Sequence, residues 1–292
     1  MTVPAELEDE IRRYAIQPDG SGQCPFPAYA RLRELAPIHR TPDGIWLVTG
    51  YKPYLDLMRD PRISRQEAAK AEMGNPADAP EHIREAIAAF PNMLINQDGD
   101  NHLRLRRLIS KVFLPGQVES WRPLIEKTAR EVVDRALTLD EYDFVTEVGY
   151  PLPERVMTDL IGVPQSDRAI WSGWSRDISK FSRARGGQAA DLAGVQSAMA
   201  SFYGYMCDLV RERQKSPKVD GSDILSIMIR AEEEGDRLSE VELVSSMVTL
   251  TQAAHETTAN LVPNGVTALL LQRELYEQLV ADPTLVEKAV EE

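Results

Sequence analysis

Cysteine is nearly missing from this chain of 292 residues. The two present, Cys24 and Cys207, are far apart and have no C-x-x-C or Cys/His spacing around them. That excludes a disulfide framework and gives no indication of a zinc site. No run of about 18 apolar residues occurs, so no membrane-spanning helix is expected. Basic residues are outnumbered, 33 Lys and Arg against 46 Asp and Glu, for a net charge of −13. A balance of that sign argues against a nucleic-acid or anionic-membrane binder. Met1 to Tyr14 is acidic and has no hydrophobic core segment, so it does not read as a signal peptide, and a cytoplasmic location is expected. Internal repeats and low-complexity segments are absent too. What remains is ordinary for a globular protein, 43% hydrophobic and 27% charged, and a single domain spanning residues 1–292 is expected.

The stretch that organises the rest is Leu238 to Leu279. It opens on a capping box, Ser239-Glu240-Val241-Glu242, and no turn-type stop follows before Leu279, so the pattern spans roughly 60 Å at 1.5 Å per residue. At about 100° per residue, Leu243, Leu250, Ala254 and Leu261 fall on one arc, with Ala253 and Thr257 at its edge. Glu256 falls on the far side with Gln252, Ser245 and Asn260. Thr257 is thus a hydroxyl facing an apolar space, with small Ala253 one turn before it. Such an arrangement also suits an ordinary core helix at a helix crossing. Pro263 removes an amide donor and predicts a kink.

A second constellation is Asp98 to Phe113, where Asp98 or Asp100 can cap a helix with the apolar arc Leu105, Leu108, Ile109, Val112 and Phe113. His102 and Arg106, four apart, fall at the edge of that arc. Arg104, Arg107 and Lys111 fall on the opposite, solvated side. Two cations turned inward need an anion: a propionate, a phosphate, or a carboxylate from elsewhere in this acidic protein.

The other segments read as follows. Met1 to Pro25 is an irregular arm, and Phe26 to Leu35 a helix. Ile38 to Thr41 and Ile45 to Thr49 form a hairpin about Pro42-Asp43-Gly44, where Pro sets φ and Gly admits a positive one. Tyr54 to Arg59 is a short helix. Ile63 to Asn96 is a loose stretch ending on a hydrophobic anchor of Phe90, Met93, Leu94 and Ile95. Trp121 to Leu137 is helical, Tyr142 to Val148 short and extended, and Pro151 to Ile161 a helix stopped by Gly162. Ala169 to Arg183 and Ala189 to Gln214 are two helices about the joint Gly186-Gly187. Asp223 to Glu234 is a helix, and another begins at Thr284. The fold class is mainly α with small β elements.

Ala253-Ala254-His255-Glu256-Thr257-Thr258 resembles the oxygen-activation motif, [A/G]-G-x-[D/E]-T-[T/S], of the cytochromes P-450, the haem-thiolate monooxygenases, with Ala254 where Gly is usual. His102-Leu103-Arg104-Leu105-Arg106 is similar to the family's H-x-x-x-R element for haem propionates. The order of helix, hairpin and short helix, and the Tyr150-Pro151-Leu152-Pro153 helix, also match its soluble bacterial members. The resemblance implies a haem b cofactor with His102 and Arg106 on the propionates and Ala253 and Ala254 leaving room above the iron. It implies Thr257 and Glu256 as the proton-handling pair. Phe90, Met93, Leu94 and Leu250 would contact a small-molecule substrate. O2, a ferredoxin and a ferredoxin reductase would be the partners, with Arg104, Arg107 and Lys111 receiving the ferredoxin. Residues 169–214 would form a lid over the active site. The Cys loop that ligates iron, F-x-x-G-x-x-x-C-x-G, does not occur, and Glu292 stands where the family's E-x-x-R begins. The chain therefore resembles roughly the first 70% of a member and is expected to be inactive alone. A haem-free homologue that activates a partner enzyme is the alternative.

Overall fold

The computed structural model describes residues 3–13, 24–42, 44–73, 75–183, 192–218, 222–233 and 235–291. The chain is mainly helical, with two small antiparallel sheets. It divides into two compact units, Met1–Leu103 with Arg176–Ser201, and Arg104–Ser175 with Phe202–Glu292.

The first unit opens on α1 (Ala5–Ile11), where an irregular arm was expected. Seven residues make a marginal helix in isolation, so its stability is tertiary. Leu7 and Ile11 are fully buried with Ala28 and Leu32 of α2 (Phe26–Leu35), and burying an aliphatic side chain contributes roughly 1.5–3 kcal/mol. Glu8 pairs with His39, and Glu10 with Arg31 at 3.0 Å. Strands β1 (Ile38–Arg40) and β2 (Trp46–Val48) pair antiparallel, His39 opposite Leu47. Gly44 in their turn has φ 87°, as the sequence requires. Helix α3 (Tyr51–Met58) starts three residues earlier than its apolar spacing predicts.

The stretch expected to be loose contains α4 (Gln66–Met73) and α5 (Arg84–Ala89). The start of α4 is fixed by a residue far along the chain. The Asp98 carboxylate accepts from the Gln66 amide at 3.0 Å, the Arg65 amide at 3.1 Å and the Ser64 hydroxyl at 2.6 Å. Asp98 or Asp100 was expected to cap the helix that follows; of the two, the Asp98 carboxylate serves α4. The Ser64 hydroxyl first, then the two amides, hold the Asp98 carboxyl below its ordinary value. A depressed carboxyl pKa stabilises above the unfolded value of about 3.9, and that stabilisation is lost as pH falls through the folded value. Asp98→Ala is therefore expected to cost about 1 kcal/mol at pH 7, as for a lost cap, with the gap narrowing in acid. Urea unfolding at pH 7 and near pH 3 checks this; a gap independent of pH would mean that the charge is irrelevant.

Helix α6 (Gly99–Ser110) leads into the second unit, where Leu105, Leu108 and Ile109 are buried, as is Val112 just beyond. Phe113, expected on the same arc, is 49% exposed because a 3-10 turn over Lys111–Phe113 changes the phase. Then come α7 (Pro115–Ala136), a π-helical turn at Val145–Gly149 in place of the expected extended piece, and α8 (Pro151–Ile161). Gly162 ends α8 in the left-handed conformation, φ 89°. Helices α9 (Arg168–Arg183) and α10 (Leu192–Lys215) follow; the diglycine joint between them lies outside the described residues. In the second unit Trp171 of α9 meets Phe202 of α10 edge-on, ring centroids 5.7 Å apart. Helix α11 (Ile224–Arg230) stops short of its expected end, and β3 (Glu232–Glu233) pairs with β4 (Asp236–Arg237).

Helix α12 (Glu240–Leu271) has 32 residues and the capping box read from the sequence, Ser239 with Glu242. It does not reach Leu279. Gln272, at φ −121° and ψ 68°, breaks it before α13 (Arg273–Ala281), and α14 (Val286–Glu291) follows. Val132, Ala136 and Val148 form a core cluster with Phe144 and Leu152, joining α7, the π-helical turn and α8. Against α8 and that turn packs α12. The helix continues through Pro263, whose ring lies on the backbone of Gly149. A Cβ at Gly149 would sit 2.7 Å from Pro263 Cγ and 3.2 Å from the Ala259 carbonyl oxygen. Gly149→Ala is expected to destabilise by about 1–3 kcal/mol through overpacking. At Gly116, in α7, a Cβ would meet nothing within 4 Å, and Gly116→Ala should be neutral or stabilising. Thermal unfolding of both variants tests this; equal midpoints would show that the Pro263 ring gives way.

Candidate functional site

The seam that α12 buries differs from the arc its leucines suggest. In its first turns Leu243, Val244, Ser245, Ser246, Met247 and Val248 are all buried. Beyond them the buried positions are Thr251, His255, Ala259 and Pro263, one every four residues. Leu250 and Ala254 are only half-buried, and Leu261 is 59% exposed. Ser245, expected on the far side with Glu256, is fully buried. The helix is apolar on most faces in its first half, so periodicity alone cannot choose the face, and the neighbours α8 and the π-helical turn accept small residues. Ala253 and Thr257 are exposed, and Glu256 is half-buried. Thr257 Oγ1 donates to the Ala253 carbonyl oxygen at 2.5 Å, which leaves its lone pairs turned outward from the helix. Asn260 Nδ2 donates to the Glu256 carbonyl oxygen at 2.8 Å.

Sequence reasoning passed over His255. It is 2% exposed, its Nδ1 lies 3.2 Å from Ser175 Oγ of α9, and its ring stands edge-on to Tyr150 with centroids 6.1 Å apart. The four-residue repeat of small or polar residues was the available signal.

On α6, Arg106 is exposed and His102 half-buried. The inward pointing expected of Arg106 is not what the structure shows: its guanidinium is open to solvent, and among the described residues no carboxylate pairs with it. Arg104, expected on the solvated face, is instead engaged. Its Nη1 lies 3.1 Å from Asp236 Oδ2 and its Nη2 contacts Glu242, the same carboxylate that closes the capping box of α12. Arg107 is exposed, and Lys111 lines a surface groove of about 640 Å³ with Gln117, Ile227 and Arg230. Phe90 and Met93 are buried and Leu94 half-buried in the first unit; Leu250 belongs to the second. Cys24 is exposed and Cys207 buried within α10. Among the described residues no cluster of His, Cys, Asp and Glu could hold a metal ion, and no helix is long and apolar enough to cross a membrane.

No family model matches the chain. Individual proteins do. It is 36% identical over 275 residues to the cytochrome P-450 monooxygenase PikC of Streptomyces venezuelae, covering 92% of this chain and 61% of that protein. It is 34% identical to the vitamin D(3) 25-hydroxylase of Pseudonocardia autotrophica, covering 92% and 64%. Among solved structures, a cytochrome P-450 in complex with acyl carrier protein ligated to hexadec-9Z-enoic acid superposes with a TM-score of 0.79 at 26% identity, covering 91% of this chain and 66% of that one. The chain belongs to the cytochrome P-450 family. It spans a little under two thirds of the length of these relatives. The mainly helical fold with small sheets is the family's, and the cytochrome P-450 relatives use haem b.

The residues present fit one part of a haem site. A small residue and a hydroxyl stand on the open face of α12, and α6 offers an uncommitted guanidinium, Arg106. A thiolate is another matter, since neither cysteine stands in an F-x-x-G-x-x-x-C-x-G pattern.

Proposed function

We propose that this chain forms the oxygen-handling and propionate-binding portion of a haem-dependent monooxygenase that inserts one oxygen atom of O2 into a small organic substrate. The observation that carries this reading is Thr257, on the open face of α12 with its proton donated to the Ala253 carbonyl. Haem, when bound, supplies the iron at which O2 is activated and the substrate oxidised. Thr257 Oγ1 would accept a proton from the solvent side and hold it at the open face of α12. Glu256, next in sequence and half-buried, relays that proton. Ala253 and Ala254 leave space for a flat group near the helix backbone. His102 and Arg106 would hold the propionates, a guanidinium being suited to a carboxylate. Phe90, Met93, Leu94 and Leu250 contact the substrate. A thiolate ligand would have to come from a Cys loop that is not among these residues. Electrons arrive from a ferredoxin and its reductase. Arg107 of α6 and Lys111 just beyond it are the cations suited to that acidic partner, whereas Arg104 is held by Glu242 and Asp236.

The experiment is a reduced-CO difference spectrum on two polypeptides, this chain alone and a longer one that adds the Cys loop. The longer one should show the red-shifted Soret band of thiolate-ligated haem, and this chain should not. In the longer protein Arg106→Ala should weaken haem binding by about 1.5–3 kcal/mol, the worth of charge-assisted hydrogen bonds. Arg107→Ala, one position on, should leave haem in place. Equal haem loss from both variants would take Arg106 off the propionates.

A further inference from the structure

Between Val248 and Pro263 the buried positions of α12 are Thr251, His255 and Ala259. None is a large aliphatic residue. A seam of this kind offers few ridges to interlock with neighbouring helices, so ahead of the close contact of Ala259 and Pro263 with Gly149 packing alone does little to set the rotation of the helix. That segment nevertheless carries Ala253 and Thr257. His255 makes two directional contacts from it to other helices, bonded to fully buried Ser175 through Nδ1 and edge-on to Tyr150. Tyr150 stands at the start of α8 and Ser175 within α9, so three helices meet at this imidazole.

We infer that His255 is a positioning residue whose contacts with Ser175 and Tyr150 fix the rotational setting of the 253–257 turn, holding Ala253 and the Thr257 hydroxyl on the open face of α12. At about 100° per residue, Thr257 lies roughly 200° around the helix from His255. Pinning the one therefore orients the other. The functional consequence rests on the reading of Thr257 given above; the positional one does not.

The geometry supplies a discriminating pair of variants. An Asn side chain puts a polar atom near the place of Nδ1, the atom that meets Ser175, while Gln reaches toward the place of Nε2. Amide hydrogen exchange on the 292-residue chain reads the setting without haem. Ser175→Ala and His255→Gln should raise exchange across 253–260 by roughly tenfold, the equivalent of one neutral hydrogen bond, and leave 243–248 unchanged. His255→Asn should stay close to the parent. The inference is overturned if Ser175→Ala changes nothing, if exchange rises evenly along α12, or if Asn and Gln behave alike. In the haem-loaded longer protein, Ser175→Ala should lower product formed per NADH consumed with little change in substrate KM. If exchange shifts as stated while Thr257→Ala leaves coupling intact, the proton role of Thr257 fails and the positioning stands. If exchange is flat while Thr257→Ala uncouples, the positioning alone fails.

Discussion

Arg213→Met should cost about 3–5 kcal/mol, the usual penalty for stranding one partner of a buried ion pair. Arg213 and Asp223 are 7% and 8% exposed, and the Arg213 guanidinium contacts Asp223 and lies 3.0 Å from Ser226 Oγ. Asp223 is also the N-cap of α11: it accepts from the Ser226 amide and hydroxyl, both at 2.9 Å. One carboxylate therefore ties the end of α10 to the start of α11. Lys218 Nζ, 3.7 Å from Asp223 and 45% exposed, is too far and too wet to replace the guanidinium. Removing the cation leaves a buried anion. Removing the anion's charge as well should restore much of the loss, because the amide of Asn can still cap the helix. Urea unfolding of Arg213→Met and of Arg213→Met/Asp223→Asn makes the comparison. If the double variant were no more stable than the single one, the stranded charge would not be the cause.

How much of this could be read beforehand depends on whether the deciding contact was local. The hairpin about Pro42-Asp43-Gly44, the stop of α8 at Gly162 and the capping box of Ser239 and Glu242 are local devices, and each stands where the residues placed it. The two motif segments were enough to identify the family, because each is a short run of residue types read directly from the sequence. The misses share a different cause. Helix α1 exists because Leu7 and Ile11 bury against α2, and α4 begins where Asp98, from beyond α5, caps it. The side chain of Arg104 goes to Glu242 and Asp236, a choice between solvent and distant carboxylates that helix periodicity does not contain. The break at Gln272 carries no Gly or Pro signal either. The facing of α12 is the most instructive case. Its leucines suggest one face, yet Leu261 is exposed while Thr251, His255, Ala259 and Pro263 are buried, since the surface of α8 and the Gly149 turn leaves room for little else.

Thr257→Ala in the complete, haem-loaded enzyme should divert reducing equivalents from product to peroxide, on the reading that the Thr257 hydroxyl delivers a proton. Positioned proton transfer contributes a factor of about 10²–10⁴, so the rate of product formation should fall steeply while NADH consumption continues. The structure removes the usual objection that such a variant has lost its fold. Thr257 is exposed, its side-chain hydrogen bond is to Ala253 within its own helix, and Ala is the better helix former. Stability should therefore hold or rise slightly. Thr257→Ser keeps the hydroxyl and should keep most of the coupling, whereas Thr257→Val keeps the shape without the proton and should behave as Ala does. Glu256→Gln should slow the relay without abolishing it, because solvent can still reach an exposed Thr257. The measurements are product formed and peroxide released per NADH, with ferredoxin and its reductase in excess. Coupling in Thr257→Val equal to that of the parent would remove the hydroxyl from the mechanism and leave only its shape to explain its place on α12.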